Sequence, residues 1–304
     1  MDIHRKLYNS KLLLFGEYGL MFGAMALSVP FSRFHGSLEY DNDHTFPEST
    51  AEIRKFYLYL SSLESNRLHF PFDLQSLKQD LDKGLYFHSN IPRQYGLGSS
   101  GALVAALFSR YALPYADENS PPATLLKEDF ALLESHFHGQ SSGLDPLTSF
   151  LNQPILLDSN KQVQTLSLNL THTGWAFAMI DTQATGATGP LVRHFIESLQ
   201  QPVFKSVFES AFIPSSNNCI QSLLKRDHPA FFHSLEQLIH FELQYFRKMI
   251  PHQFNELIPD ALNHQVFIKL LGSGGGGYLL AIAPRENILR EWADQQGIPL
   301  LKVG

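Results

Sequence analysis

The run Gly272-Ser-Gly-Gly-Gly-Gly277 joins two apolar segments, Val266–Leu271 and Tyr278–Ala283, which are typical of β-strands bounded by turn residues. A hairpin turn needs one or two glycines, whereas each further glycine costs roughly 0.5–1 kcal/mol of conformational free energy relative to alanine. The four consecutive glycines therefore indicate that something bulky approaches this backbone closely. A flexible hairpin tip is the competing interpretation.

A second glycine-rich segment, Gly96-Leu-Gly-Ser-Ser-Gly101, lies between a predicted strand at Leu85–Ile91 and an apolar helix that starts near Ala102. Glycines let the backbone approach an anion closely, and a helix start supplies free N–H donors and the positive end of the helix dipole. Ser99 and Ser100 can cap this helix or present hydroxyls to phosphate or magnesium. The segment therefore predicts a cradle for a triphosphate.

Two other interpretations of Gly96–Gly101 stay open. Its spacing satisfies the G-x-G-x-x-G pattern of dinucleotide-binding proteins, which would make the chain an NAD-binding oxidoreductase. That pattern requires an acidic residue about 20 positions later at the end of a strand; Asp117 and Glu118 stand near that distance, but in a segment typical of a loop. The other interpretation is a tight turn that only packs a helix onto a sheet. A Walker A loop is excluded, since no Gly-Lys-Ser/Thr follows.

Two acidic residues are candidates for phosphoryl-transfer chemistry. Glu134 lies at the edge of the apolar stripe of a helix predicted over 126–137, where a solvated helix flank is the favoured interpretation of the residue taken alone. Asp145 follows in a turn whose backbone Gly143 frees and Pro146 restrains. A serine hydroxyl with one glutamate suits magnesium. The remaining aspartate would then be free to receive the proton of an acceptor hydroxyl.

Other reactive residues carry weaker signals. His136 and His138 are too close for a zinc pair at i, i+4, so histidines on a helix flank explain them better. Glu242 falls within an apolar helical stripe, where it faces either a cleft or a helix edge. Cys219 has no neighbouring base in sequence to suggest nucleophilic use. As the only cysteine, it also excludes an internal disulfide framework and a Cys-based zinc site.

Composition limits the classes of partner. A chain of 304 residues with 44% hydrophobic residues can bury a proper core in two domains or one large one. A net charge of −6 argues against nucleic acid or an anionic membrane surface as the main partner. The uncharged stretch 18–31 is too short and too broken for a membrane-spanning helix of about 20 residues, and it lacks a cleavage-site pattern. We therefore expect a cytoplasmic protein with small-molecule partners, for which a homodimer stays open.

The order of the predicted elements mixes hairpin-like strand pairs with helices, which favours the α+β class over a doubly wound sheet. Polar residues near 165–172 divide the chain roughly in half, into predicted domains 1–168 and 169–304. Further predicted elements are strands at Lys11–Phe15, Ala26–Val29 (ended by Pro30) and Trp175–Ile180, and helices at 51–63 and 228–249.

Three segments, in this order and spacing, resemble the motifs of the GHMP kinase superfamily, the small-molecule kinases of galactose, homoserine, mevalonate and phosphomevalonate. They are Lys11–Glu17, Pro92–Gly101 and Lys269–Gly277. Within the superfamily, Glu134 followed by His138-Gly139 and Ser142-Gly143-Leu-Asp145 is most similar to mevalonate kinases, which show the same spacing between the two acids. The resemblance covers nearly the whole chain.

The resemblance implies an ATP-binding N-terminal domain like domain 2 of ribosomal protein S5 (1–168) and a ferredoxin-like C-terminal domain (169–304). It implies an ATP- and magnesium-dependent transferase that phosphorylates the primary hydroxyl of mevalonate for isoprenoid precursor synthesis, with phosphomevalonate, homoserine and sugars as alternative acceptors. The implied roles are Asp145 as base, Lys11 beside it, Ser100 and Glu134 on magnesium, Gly96, Leu97, Gly98, Ser99, Ser100 and Gly101 around the ATP phosphates, and Glu17, Tyr18, Gly274 and Gly275 near the substrate.

Three positions depart from the mevalonate kinase pattern. Tyr18 stands where those enzymes usually have histidine and where phosphomevalonate kinases often have tyrosine. Ser141 replaces an expected proline, and Pro146 replaces an expected asparagine. The sugar-kinase form of the first motif is absent. These departures concern the acceptor and leave nucleotide binding and catalysis intact.

Overall fold

Short apolar runs bounded by turn residues form most of the strands, as their pattern predicts. The structure, a computed structural model, describes residues 6–41, 43, 45–64, 66–113, 122–186 and 188–303. Asp117 and Glu118, which the dinucleotide interpretation needs, lie outside the described residues. The strands are β1 (Tyr8–Phe15), β2 (Ala26–Tyr40), β3 (Leu85–Ser89), β4 (Ile155–Leu157), β5 (Val163–Thr165), β6 (Ala176–Asp181), β7 (Phe267–Leu270), β8 (Tyr278–Ala283) and β9 (Leu300–Lys302).

Helices occupy much of the remaining described chain. Apolar residues at helical spacing direct one face of the amphipathic helices into a core. The helices are α1 (Pro47–Ser62), α2 (Leu74–Asp82), α3 (Ser99–Tyr111), α4 (Ala123–His138), α5 (Leu144–Leu151), α6 (Thr188–Ser198), α7 (Pro202–Val207), α8 (Ile213–Lys225), α9 (His228–Tyr245), α10 (Leu257–Asn263) and α11 (Glu286–Gln296). No described helix is both long enough and apolar enough to cross a bilayer.

The strands form two sheets. The first has the order β1-β2-β4-β5, and β3 pairs with β2 in an antiparallel register that sets Gly36 opposite Ser89. The second has the order β7-β8-β6-β9, with antiparallel pairs throughout. Phe267 on β7 lies opposite Ile282 on β8. Antiparallel pairs in both sheets, together with the helices, confirm the predicted α+β class.

Residue contacts divide the chain into two units, each made of segments that are separate in sequence. The first unit contains Met1–Lys11, Val29–Pro92 and Leu97–Ile155. The second contains Leu12–Ser28, Arg93–Gly96 and Leu156–Gly304. The predicted domains 1–168 and 169–304 stay a prediction.

Helix α3 is the centre of the first unit. Its residues from Gly101 to Phe108 are all buried, as their continuous apolar sequence predicts. It packs on α4 and α5, where the ring of Phe108 lies 4.7 Å from that of Phe130 and 5.4 Å from that of Phe150. A Cβ on Gly101 would lie 2.9 Å from the Cβ of Asp145, so the first turns of α3 and α5 are in close contact.

Helices α8 and α9 pack together in the second unit, and α9 lies on β7. Phenylalanine rings fill the space around them; the ring of Phe212 lies 5.0 Å from that of Phe241 and 5.2 Å from that of Phe246. The apolar stripe predicted for α9 is confirmed, since Leu235 and Leu238 are buried. This core supports β7, which leads directly into the glycine segment 272–277.

Two predicted boundaries are wrong. Pro30 does not end the second strand, because β2 continues from Ala26 to Tyr40. A proline is tolerated in a strand wherever its nitrogen is not needed by the hydrogen-bond ladder. The helix predicted to reach residue 249 ends at Tyr245. Phe246 leaves the helical conformation, and a separate 3₁₀ turn follows at Arg247–Met249.

Candidate active site

The predicted phosphate loop ends at the start of α3. Gly98 precedes the helix with a φ of 74°, a left-handed conformation that favours glycine, and its carbonyl accepts a hydrogen bond from Ala102 at 2.9 Å. The first N–H groups of α3 lack intrahelical partners, as at any helix start, and the N-cap residue Gly98 has no side chain to cap them. This is the local geometry that binds anions at a helix start.

Lys11 and Asp145 form an ion pair directly beneath this loop. The Lys11 Nζ lies 3.0 Å from Asp145 Oδ2, and the two side chains are 7% and 29% exposed. A Cβ on Gly98 would lie 2.9 Å from Lys11 Cγ and 3.4 Å from Asp145 Oδ2. The loop backbone therefore passes over the ion pair at a distance that only glycine permits.

Strand β1 and helix α5 hold the two charged groups in place. The backbone N–H of Lys11 donates to the carbonyl of Leu97 at 3.0 Å, which ties the middle of β1 to the loop. Asp145 lies in the first turn of α5, where the positive end of the helix dipole stabilises a carboxylate. The ammonium group of Lys11 and the carboxylate of Asp145 thus lie side by side, and a small molecule can reach the exposed part of Asp145.

Glu134 lies on the inner side of α4, next to Ser100. The Ser100 hydroxyl donates to Glu134 Oε1 at 3.3 Å, and the Ser141 hydroxyl donates to Glu134 Oε2. The glutamate is only 4% exposed. Burial, and then the charge of Asp145, raise the pKa of Glu134 to about 8 against the lowering effect of these hydroxyls and Lys11. The solvated-flank interpretation of Glu134 is therefore wrong.

His138 is a contact that the sequence interpretation missed. Its Nε2 lies 2.8 Å from the Ser100 hydroxyl oxygen, and burial lowers the pKa of His138. His136 behaves as a packing residue, with its ring 4.9 Å from that of Tyr59. Two signals for His138 were available in sequence: its place in the pattern that resembles mevalonate kinases, and its position just before the turn that leads to Asp145.

The donor atoms around Ser100 and Glu134 fit magnesium. Burial and the nearby charge of Asp145 raise the pKa of Glu134, and a cation bound beside Glu134 would favour its ionised form. Magnesium prefers oxygen ligands and takes few from protein, completing its shell with water and substrate phosphates. Among the described residues, no group of three or more His, Cys, Asp or Glu side chains is placed to hold a metal.

Glu17 and Tyr18 lie in the second unit, immediately after β1. Glu17 is buried, and its Oε1 lies 2.6 Å from Lys269 Nζ. Burial raises the pKa of Glu17, while Lys269 opposes that shift. The Tyr18 hydroxyl donates to the Ser273 carbonyl at 2.6 Å. The predicted contact of Glu17 and Tyr18 with a substrate stays a prediction.

The glycines of segment 272–277 are in close contact with other parts of the second unit. The sequence predicted that something bulky approaches this backbone. At each of the last four glycines, the approaching group is another part of the protein. A Cβ would lie 2.5 Å from the Met249 carbonyl at Gly274, 2.5 Å from Leu191 Cδ1 at Gly275, 2.6 Å from the Ala184 carbonyl at Gly276 and 2.8 Å from the Tyr95 carbonyl at Gly277. The hairpin is therefore packed, and the predicted substrate contacts of Gly274 and Gly275 stay a prediction.

Glu242 on α9 faces neither a cleft nor a helix edge, so both sequence interpretations are wrong. It is 2% exposed, and its Oε2 accepts a hydrogen bond from the Leu270 N–H at 2.9 Å. The carboxylate thus caps the end of β7 from inside the core. Burial raises the pKa of Glu242 to about 8, although Lys269 opposes the shift.

We expect Glu242→Gln to stabilise the protein increasingly as the pH rises. A pKa raised from 4.5 means that the folded protein binds more protons than the unfolded chain between pH 4.5 and about 8, so the glutamate destabilises the fold progressively across that range. Glutamine still accepts the Leu270 N–H. Urea unfolding at pH 6 and pH 8.5 should show the difference between variant and parent growing by about 1 kcal/mol or more.

Glu236→Gln is the matched control, since Glu236 lies on the same helix and its side chain is 52% exposed. Its effect on the free energy of unfolding should not change with pH in this way. If the free energies of unfolding of Glu242→Gln and the parent protein differ by the same amount at both pH values, the raised pKa of Glu242 is contradicted.

Comparisons with known proteins find one family model and a set of similar folds. Residues 66–153 match the family model of the GHMP kinases N terminal domain. No curated protein sequence matches the chain significantly. Similar solved structures include the Lin0012 protein of Listeria innocua, with a TM-score of 0.67 and 18% identity over 97% of this chain and 95% of that chain.

Two enzymes with bound ligands are also similar in fold. The L. major mevalonate kinase, in complex with R-mevalonate, has a TM-score of 0.64 and 15% identity over 99% of this chain and 95% of that chain. The Streptococcus pneumoniae phosphomevalonate kinase, in complex with phosphomevalonate and AMPPNP, has a TM-score of 0.64 and 14% identity over 99% of this chain and 100% of that chain. Residues 66–153 therefore match the GHMP kinases N terminal domain, and the chain shares its fold with these two enzymes over nearly its whole length.

Proposed function

We propose that this chain transfers the γ-phosphoryl group of ATP to the primary hydroxyl of mevalonate, as a kinase of isoprenoid precursor synthesis in the cytoplasm. The observation that carries the proposal is the Lys11–Asp145 ion pair at 3.0 Å beneath Gly98, at the start of α3. A carboxylate and an ammonium group under an anion-binding helix start are what transfer of a phosphoryl group to a hydroxyl requires.

In this reaction the Asp145 carboxylate accepts the proton of the acceptor hydroxyl. The hydroxyl oxygen then forms a bond to the γ-phosphorus of ATP, while the bond from that phosphorus to the bridging β–γ oxygen breaks and ADP leaves. Lys11 stabilises the negative charge that develops on the attacking oxygen, because its ammonium group lies beside Asp145. Each of these residues acts on the acceptor side of the transfer.

The phosphates bind on the other side, at the start of α3. Within the predicted phosphate segment Gly96–Gly101, the N–H groups of residues 97–101 and the hydroxyl of Ser99 donate to phosphate oxygens. Ser100 and Glu134 would hold magnesium, which neutralises charge on the phosphates when it is bound. His138 contacts Ser100 and Ser141 contacts Glu134, through the hydrogen bonds described above.

Phosphomevalonate kinase is the second candidate, and Tyr18 is the residue that favours it. A tyrosine follows the first-motif glutamate in this chain, as it often does in the resembling phosphomevalonate kinases, whereas mevalonate kinases usually have histidine there. A phosphorylated acceptor would need additional basic side chains near its phosphate. Homoserine and sugars are further alternative acceptors.

An assay that couples ADP release to NADH oxidation tests the proposal with four acceptors: mevalonate, phosphomevalonate, homoserine and galactose. We expect kcat/KM for mevalonate to exceed that for each other acceptor by at least about tenfold, which corresponds to about 1.4 kcal/mol. A preference for phosphomevalonate would establish the second candidate instead. Protection against thermal unfolding by NAD rather than ATP, without ADP release, would overturn the kinase proposal.

A further inference from the structure

The turn after β1 holds Tyr18 in an unusual backbone conformation. Its φ is 57°, in the left-handed region that a bulky residue rarely adopts. Such a conformation persists only where the surroundings enforce it. The Tyr18 ring is buried, with its centre 4.5 Å from that of Phe195 and 5.2 Å from that of Phe246. The packing of the ring therefore fixes where the hydroxyl points.

The hydroxyl and the preceding carboxylate hold two consecutive residues of the glycine segment. Tyr18 donates to the Ser273 carbonyl at 2.6 Å. Glu17 Oε1 accepts from the Gly272 N–H at 3.4 Å and pairs with Lys269 at 2.6 Å. All five residues belong to the second unit. The turn thus fixes the end of β7 and the first two residues that follow it.

The glycine segment in turn contacts the residues that lead into the phosphate loop. A Cβ on Gly96 would lie 3.5 Å from the Leu271 carbonyl, and one on Gly272 would lie 4.0 Å from the Gly96 Cα. A Cβ on Gly277 would lie 2.8 Å from the Tyr95 carbonyl. Residues 95–96 therefore pack along the segment that Glu17 and Tyr18 hold, immediately before the loop 97–101.

We propose that Tyr18 is a positioning residue for the nucleotide, which acts through the Ser273 carbonyl and the glycine segment on the entry to the phosphate loop. This inference rests on the proposed function. It differs from the expectation that Tyr18 touches the substrate, because the hydroxyl is already engaged with a backbone carbonyl and the ring is packed. Loss of the hydroxyl should then weaken nucleotide binding and leave acceptor binding intact.

The test compares Tyr18→Phe with Tyr59→Phe as a matched control. Tyr59 likewise donates its hydroxyl to a backbone carbonyl, that of Leu132 at 3.0 Å, in the first unit. For each protein we would measure KM for ATP and for the acceptor, and Kd for AMPPNP by calorimetry. We would also measure amide hydrogen exchange at Gly275 and Gly277, whose N–H groups donate to Met249 and Ala184.

We expect Tyr18→Phe to raise KM for ATP and Kd for AMPPNP about three- to tenfold, the effect of one net hydrogen bond. KM for the acceptor should stay within about twofold. Exchange at Gly275 and Gly277 should accelerate in Tyr18→Phe alone. A KM that rises for the acceptor but not for ATP would overturn the inference, as would unchanged exchange at both glycines. If no acceptor supports ADP release, the proposed function fails, whereas exchange and AMPPNP affinity still decide the role of Tyr18.

Discussion

The Asp145→Asn variant is expected to lower kcat about a thousandfold, within the range of about 10²–10⁴ for loss of a general base. Asparagine keeps the size of the side chain and can still accept a hydrogen bond from Lys11, but it cannot take the proton of the acceptor hydroxyl. KM for ATP should change little, because Asp145 acts on the acceptor side. Steady-state kinetics with saturating ATP and mevalonate measure the effect.

Asp82→Asn is the matched control for this variant. Asp82 also pairs with a cationic side chain, that of Arg54 at 3.5 Å. Both side chains are at least half exposed, and neither residue is assigned a part in the reaction. Its kcat should equal that of the parent protein. A kcat for Asp145→Asn within about tenfold of the parent value, equivalent to about 1.4 kcal/mol, would show that Asp145 is not the base.

Glu134→Gln should weaken divalent-cation binding in the presence of nucleotide by about a hundredfold or more. Loss of even an outer-shell partner of a metal costs about 10- to 100-fold in affinity, and glutamine removes the only charged ligand that we assign. It retains an acceptor for the Ser100 and Ser141 hydroxyls, so the fold should persist. Titration of Mn²⁺ with AMPPNP present, followed by electron paramagnetic resonance, measures this affinity without any turnover.

Glu128→Gln controls for a general change in charge, since Glu128 lies on the same helix with a side chain that is 55% exposed. Mn²⁺ affinity should be unchanged in this control. Equal Mn²⁺ affinity in Glu134→Gln and the parent protein would contradict the assignment of Glu134 as a ligand.

The residue types of the site could be predicted from sequence, but the burial of each residue could not. Helical periodicity places Glu134 at the edge of an apolar stripe, which taken alone favours a solvated flank. In the structure two hydroxyls from other segments, Ser100 and Ser141, cover the carboxylate. Helical periodicity describes one helix at a time, so it gives no information on the side chains that another segment places against that helix. For the same reason it left His138 as a flank residue.

Local sequence patterns could not predict the long-range contacts in the second unit. Tyr18 and Ser273 are 255 positions apart, and their hydrogen bond depends on the packing of a strained turn. Glu242 was unexpected in an apolar stripe, yet it satisfies the Leu270 N–H inside the core. The glycine run did indicate a close approach, but the sequence could not tell a ligand from the neighbouring backbone at Met249 and Tyr95.

A crystal structure of the protein with AMPPNP and magnesium tests the central assignment most directly. We expect the triphosphate on the N–H groups of residues 97–101, magnesium held by Ser100 and Glu134, and the γ-phosphate turned toward Lys11 and Asp145. Nucleotide bound with its phosphates away from that loop, or a γ-phosphate remote from Asp145, would contradict it.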